Sequence, residues 1–248
     1  MTARDFSDKD SLERHSVGLN RVGLNRVGLI GGLAVGATIY YYQSIVDTCQ
    51  ARGFSPKLLI AHADVERVLK LIAANELEQL AEYFLGFVDT LENAGVKAVA
   101  ISAVAPHLCF PNLLAKTQMP MISLVTETRR EIEARGFERV TLFGNRASTE
   151  TKLFNGLEGI DVVLPNADEI TLIHETYTAI ARARQGTPEQ VSSLRELAKT
   201  LIARNHLDAV VLAGTDLSVV FNETNTDFSA IDCARIHVDA IVRALEKN

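Results

Sequence analysis

Two strand ends carry most of the side chains that could move a proton. Ser102-Ala103-Val104-Ala105-Pro106-His107 follows the apolar run Val99–Ser102, and Ala213-Gly214-Thr215-Asp216 closes the run Ala209–Ala213. Parallel strands present ligands at their carboxyl ends. His107 there can serve as acid, base or hydrogen-bond donor, or simply cap the helix that Pro106 begins. Thr215 and Asp216 offer a hydroxyl and a carboxylate where another helix should start, either to a ligand or as a cap. His107 and Asp216 are therefore the candidate proton-transfer groups. His62 and Asp64, after Lys57–His62, point to the same edge and stand in reserve. His174 and Glu175 fall mid-helix, on a solvated face. Cys109 should face away from His107, as a reactive thiol or as a packing residue.

The second ingredient is a turn of small residues, Gly31-Gly32-Leu-Ala-Val-Gly36. Small residues let backbone N–H groups approach a ligand, and the helix N-terminus that follows favours an anion. The run is neither GxGxxG nor a loop ending in GK[ST], so it does not read as a nucleotide phosphate site. A carboxylate or small phosphate suits it, as does a purely structural turn. Thr38 either adds a hydroxyl donor or bonds back to its own helix. A matching stretch, Leu142-Phe-Gly-Asn-Arg-Ala-Ser-Thr-Glu-Thr151-Lys-Leu-Phe154, pairs Gly144 with Gly31, Thr151 with Thr38 and Phe154 with Tyr41 at one common separation. Two similar halves follow, and a site between them would draw groups from each. The expected ligand-holding set is Gly31, Gly32, Thr38, Ser148, Thr151 and Thr215.

The elements that must position these residues alternate in type. Strand-like runs are Val27–Ile30, Lys57–His62, Val99–Ser102, Met119–Val125, Val140–Phe143, Val162–Leu164 and Ala209–Ala213. Most are short and continuously apolar, as in parallel strands covered on both faces. Helical spacing marks Val65–Ala74, Leu77–Ala94, Asp168–Arg184 and Asp232–Glu246. Asn166 can cap the third of these, with Glu169 completing the box, and Thr187-Pro188 opens another helix. The pattern predicts an α/β fold of two pseudosymmetric subdomains, each a mainly parallel sheet flanked by helices, with a site in the cleft between them. The second half should begin near 120–140. Residues 1–26 read as a leader in which Val-Gly-Leu-Asn-Arg repeats every five residues, a period of neither helix nor strand.

The chain has 248 residues and a formal charge of −6, enough to bury a core and without the basic footprint of a nucleic-acid binder. No apolar run reaches the ~18 residues of a membrane span, and the charged N-terminus lacks a signal core. A cytoplasmic protein without membrane or nucleic-acid partners is expected. Its three cysteines, Cys49, Cys109 and Cys233, form no CxxC, so neither a metal site nor a disulfide frame is implied.

Together these segments resemble the aspartate/glutamate racemase superfamily over roughly residues 27–245. Gly31-Gly32-Leu-Ala-Val-Gly-Ala-Thr38 followed by Tyr41 is similar to that family's Gly-Gly-Met-Gly-Pro-x-Ala-Thr opening. Ala103–His107 aligns with its Cys-Asn-Thr-Ala-His segment, and Ala213–Asp216 with Gly-Cys-Thr-Glu. The resemblance implies a small carboxylate or amino acid held between two α/β domains, no cofactor, and in many relatives a dimer. It also implies two cysteines, one per half, moving a proton on opposite faces of the substrate's α-carbon. Here those positions are Ala103 and Gly214, which move none. Two functions follow: cofactor-independent isomerase-type chemistry beside a carboxylate, or a binding or regulatory protein that has lost the two-thiol chemistry.

Overall fold

The computed structural model describes residues 26–222 and 225–246. The expected leader lies outside these residues except for Arg26, whose guanidinium donates to the Ala94 carbonyl at 3.0 Å. The strands are β1 (Val27–Gly31), β2 (Leu58–His62), β3 (Ala98–Ile101), β4 (Met121–Ile122), β5 (Arg139–Gly144), β6 (Asp161–Val162), β7 (Ala209–Ala213) and β8 (Ala230–Asp232). The helices are α1 (Val35–Ala51), α2 (Val65–Ala73), α3 (Leu77–Asn93), α4 (Phe110–Leu114), α5 (Leu124–Ala134), α6 (Arg146–Glu150), α7 (Ala167–Ala183), α8 (Pro188–Asn205) and α9 (Cys233–Leu245).

The strands form two parallel four-stranded sheets of matching order, β2-β1-β3-β4 and β6-β5-β7-β8. β1 and β5 thus hold the same place in their sheets, as the paired Gly31 and Gly144 require. Both sheets are covered on both faces, which is why their central strands lack polar alternation. Val27 and Leu29 of β1 face α1 and α9, while Ile30 faces α3. Val211 and Ala213 of β7 face α5, while Val210 and Leu212 face α7 and α8. α1 buries Ala37, Tyr41, Ile45 and Cys49 at four-residue spacing. Each large apolar side chain so buried contributes roughly 1.5–3 kcal/mol.

Two helices cross between the halves. α5 leaves the first sheet and packs Leu124 and Ile132 into the core of the second. α9 leaves the second sheet and packs Ala234, Val238, Ile241 and Leu245 against the first. The two helices touch, and Arg243 of α9 pairs with Glu127 of α5 at 2.7 Å. This exchange locks the halves together and fixes how their strand ends meet.

Two expectations are corrected and one strand is added. Met119–Val125 is a strand only at Met121–Ile122, because the Ser123 side chain accepts from the Thr126 N–H and starts α5. β8 has no expected counterpart, since an apolar run of two residues before Asp232 gives no strand pattern. The helical stretch after Gly144 is short: α6 ends at Glu150, and Lys152–Asn155 follow with φ of 51–59°. Such a left-handed turn is costly for L-residues. It places Leu153 and Leu157 in the second core, and Gly156 makes room for Val125, which a Cβ there would overlap.

Candidate functional site

The turn after β1 is built by its glycines. Gly32 has φ of +87°, and a Cβ there would lie 2.8 Å from His62 Nδ1. The Gly32 N–H donates to Thr38 Oγ1 at 3.0 Å, and that hydroxyl donates to the Ala34 carbonyl at 3.1 Å. Thr38 therefore straps the turn to its helix. Thr151 repeats this bond in the second half, donating to the Ala147 carbonyl at 2.6 Å. Ser148 is buried and donates to the carbonyls of Asn145 and, at 3.3 Å, Ala213. The two halves differ at the helix start. Asn145 caps α6, but Ala34 at the start of α1 has no side-chain cap, and the first turn of α1 holds no acid. The N–H groups of that turn therefore have no side-chain acceptor from the cap position or from an acid in the first turn.

The end of β7 is brought against this turn. Asp216 is 2% exposed. Its Oδ2 accepts from the Tyr177 hydroxyl at 3.3 Å, and its Oδ1 is buried with no hydrogen-bond partner among the described residues. A Cβ placed on Gly36, in the first turn of α1, would lie 3.6 Å from that Oδ1 and 3.5 Å from Arg184 Cβ. Asp216 and Arg184 of the second half thus meet α1 of the first. Burial raises the Asp216 carboxyl, with the Tyr177 bond and its own backbone N–H acting against it. Burial also raises the Tyr177 phenol, with Asp216 adding to it. Thr215 is buried beside them.

Gly214 is needed because Tyr177 fills its side-chain space. A Cβ on Gly214 would touch the ring, 3.0 Å from Cδ2 and from Cζ. Gly214→Ala is expected to cost about 1–3 kcal/mol through this overlap. Most of that cost should vanish in a Tyr177→Ala background, and a double-mutant cycle of unfolding free energies checks it. Additive effects would show that the ring does not occupy that space.

At the end of β3 the geometry is different. Ala103 and Val104 are buried, and Val104 joins the core of the second half. His107 is 3% exposed and stacks on Phe110 with ring centroids 4.8 Å apart. Its Nδ1 lies 3.1 Å from the Ala103 carbonyl and 3.2 Å from that of Val104, and its Nε2 lies 3.2 Å from the Leu124 N–H. Carbonyls only accept, so Nδ1 carries the proton and Nε2 accepts from Leu124. Burial lowers this imidazole to about 4. Next to it His237 donates from Nε2 to the Ile122 carbonyl at 2.9 Å, and Tyr41 OH bonds its Nδ1 at 2.9 Å. Burial, then His107, lowers His237 to about 3. Two neutral imidazoles thus tie β3, β4, α1 and α9 together.

The other expected groups are dispersed. Asp64 accepts from the N–H groups of Glu66 and Arg67 and caps α2. His62 ends the edge strand β2 and is exposed beside Gly32. His174 Nδ1 accepts from the Arg146 N–H at 3.2 Å. Cys109 packs in the first core, and burial pushes its thiol up to about 12. Among the described residues no cluster of three metal-ligating side chains occurs, and no helix is long and apolar enough to cross a membrane. Nothing in the sequence singles out Tyr177 or Arg184. Tyr177 continues the buried stripe Ile170, Ile173, Ile180 and reads as core, and Arg184 follows the last turn of α7.

An open groove of about 1440 Å³ runs along the β8 edge between α5 and α9. Its charges are engaged with one another: Glu127 holds Arg130 and Arg243, and Arg235 pairs with Asp239. Asp232 caps α9 and accepts from Ser218. The junction of Gly36, Arg184 and Asp216 has the unused acceptor instead, and is the better candidate site.

The Asp/Glu/Hydantoin racemase family model matches residues 30–241. No curated protein matches the chain. Among solved structures, an aspartate racemase homologue from Pyrococcus horikoshii is 23% identical, with a TM-score of 0.78 over 90% of this chain and 100% of that one. The aspartate racemase of Picrophilus torridus is 19% identical, with a TM-score of 0.71 over 90% and 95%. Glutamate racemase of Thermus thermophilus is 17% identical, with a TM-score of 0.56 over 91% and 82%. At these identities the likeness is one of fold.

Proposed function

The chain belongs to the Asp/Glu/Hydantoin racemase family, and from that premise we propose that it binds a small carboxylate, an amino or dicarboxylic acid, between its halves. The chemistry proposed there is of the isomerase type, next to the carboxylate and without a cofactor. One observation carries the placement: a buried, unpartnered Asp216 Oδ1 faces the uncapped first turn of α1, with Arg184 beside it. The ligand carboxylate lies on the N–H groups of that turn, where the helix dipole favours a negative charge. Its α-carbon or amino group lies toward Asp216 Oδ1. In this arrangement Thr38, Ser148 and Thr151 shape the two turns through their backbone bonds, Gly31 and Gly32 shape the first turn, and Thr215 lines the wall. His107, with both ring nitrogens engaged, holds the end of β3.

The second function, binding without chemistry, is supported by the residues at the two thiol positions, Ala103 and Gly214. Both functions require a ligand. A thermal-shift series with aspartate, glutamate, malonate and maleate tests that requirement. A ligand at a hundred times its dissociation constant adds about 2.7 kcal/mol to the native state. A raised midpoint with at least one of the four is expected. A midpoint unmoved by all four up to tens of millimolar would overturn the proposal.

A further inference from the structure

The first sheet ends in an unprotected edge. β2 (Leu58–His62) is its outer strand, and none of its residues is buried. The Ala63 N–H bonds the Gly31 carbonyl and the Lys57 carbonyl accepts from Val27, so odd-numbered residues turn their backbone groups toward β1. Those of Leu58, Ile60 and His62 point away from the sheet, and no backbone bond among the described residues engages them there. Within β2 no Lys, Arg, Asp, Glu or Pro blunts the edge, and such an edge is a template for another strand. An apolar stripe runs beside it. Val35, Ile39 and Tyr42 of α1 are 41%, 48% and 50% exposed, and Val46 continues their helical spacing. This flank faces away from α9, which meets α1 on the opposite flank through Arg235 and Thr48. Leu58 packs into the core with α1, so Ile60, two residues on, projects to the same face, and it is 46% exposed. The one charged residue of α1, Asp47, lies off the stripe. The equivalent edge of the second half is closed. β6 has only two residues, Asp161 pairs with Arg139 at 3.2 Å, and Pro165 follows. Its α6 is short and carries the Arg146–Glu150 ion pair.

We propose that the β2 edge and the adjoining flank of α1 bind a second copy of this chain, joining the first sheets of two copies into one continuous sheet. A two-fold axis at Ile60 pairs β2 antiparallel with itself. Ile60 then exchanges both backbone bonds with the partner's Ile60, and Leu58 lies opposite the partner's His62. The two Ile60 side chains meet on the face that carries α1. α1 lies over β1 and β2, packing on Val27, Leu29 and Leu58. Two strand spacings therefore separate the two copies of α1, about 10 Å, which is the distance at which helices pack. The same register sets Lys57 beside the partner's Asp64, with opposite charges at each end of the paired strands. A stable interface takes about 800 Å² from each partner. A helix flank of about 25 Å beside a strand of about 17 Å offers a face of that order. The edge calls for an extended backbone and the stripe for an uncharged apolar surface. A second copy supplies both in one register. The contact does not depend on the ligand placement proposed above.

Sedimentation equilibrium of the full chain between ~1 and ~100 μM, where interfaces of this size associate, should give twice the chain mass. Ile60→Lys sets like charges opposite one another at the centre of the pair, on a side chain already half exposed. It should weaken the dimer by ~30-fold or more with an unchanged far-UV spectrum. A second arm reads the register. In Ile60→Cys the paired Cα atoms stand about 5.5 Å apart, within reach of a disulfide. Mild oxidation should give a covalent dimer, whereas Leu172→Cys, 41% exposed on α7, should not cross-link. A monomer throughout that range would overturn the proposal. So would a dimer that Ile60→Lys leaves as tight as the parent, or cross-linking of Leu172→Cys as fast as that of Ile60→Cys.

Discussion

Cysteines at positions 103 and 214 are expected to raise inversion of aspartate by ~10²-fold or more over the parent, and only when Tyr177 is also cut back to alanine. Each proton-transfer group in such chemistry is worth on the order of 10²–10⁴-fold. Abstraction on one face and return on the other need one group apiece. Ala103 is buried at the end of β3, and its methyl is one sulfur short of the thiol. Gly214 cannot take a thiol while the Tyr177 ring fills its side-chain space. Gly214→Cys should therefore add little to Ala103→Cys until Tyr177→Ala opens that space. Chiral chromatography of aspartate incubated with the single, double and triple variants reads the outcome. A double variant as fast as the triple would show that Tyr177 does not block the position.

Acid should unfold the protein earlier than its carboxylates alone would require. His107 and His237 are held neutral in the fold, at about 4 and about 3, below the ordinary imidazole value of about 6.5. The unfolded chain takes up both protons as the pH falls below about 6.5, and the folded chain does not. Their contribution to stability is complete above pH 7 and is lost as the pH falls through 6.5 toward 4. At about 1.4 kcal/mol per pH unit for each group, the loss by pH 5 is on the order of 4 kcal/mol for the two. Asp216 and Asp232, raised by burial, act in the opposite direction as they become protonated. Urea midpoints between pH 7.5 and 5 should fall steeply in the parent and less steeply in His237→Gln. A flat parent profile over that range would contradict the buried neutral pair.

Much of the fold is legible in the sequence because its signals are local. Apolar runs such as Val27–Ile30 and Ala209–Ala213, short and alternating with helical stretches, read as buried strands, and caps such as Asn166 and Thr187 mark helix starts within a residue. The two sheets follow from repetition: Gly31 and Gly144 end strands that hold the same place in each. The short β8 was hidden because two apolar residues carry no period. The left-handed turn at Lys152–Asn155 was hidden because its cause is packing against α5, which lies in another part of the chain. Of the site, Asp216 and the glycine turn are visible as residue types at strand ends. Tyr177 and Arg184 are not, since their roles come from the approach of α7 to α1 and β7 across the two halves. A glycine at 214, in place of a functional side chain, was the one trace of the ring that fills its space.

Amide NMR of the labelled protein titrated with aspartate tests the proposed location of the ligand most directly. The N–H groups of Val35, Gly36 and Ala37 should shift together with those of Thr215, Asp216 and Arg184, saturating at one dissociation constant. Shifts confined to the groove lined by Arg130, Arg235 and Arg243, with the first turn of α1 unmoved, would contradict it.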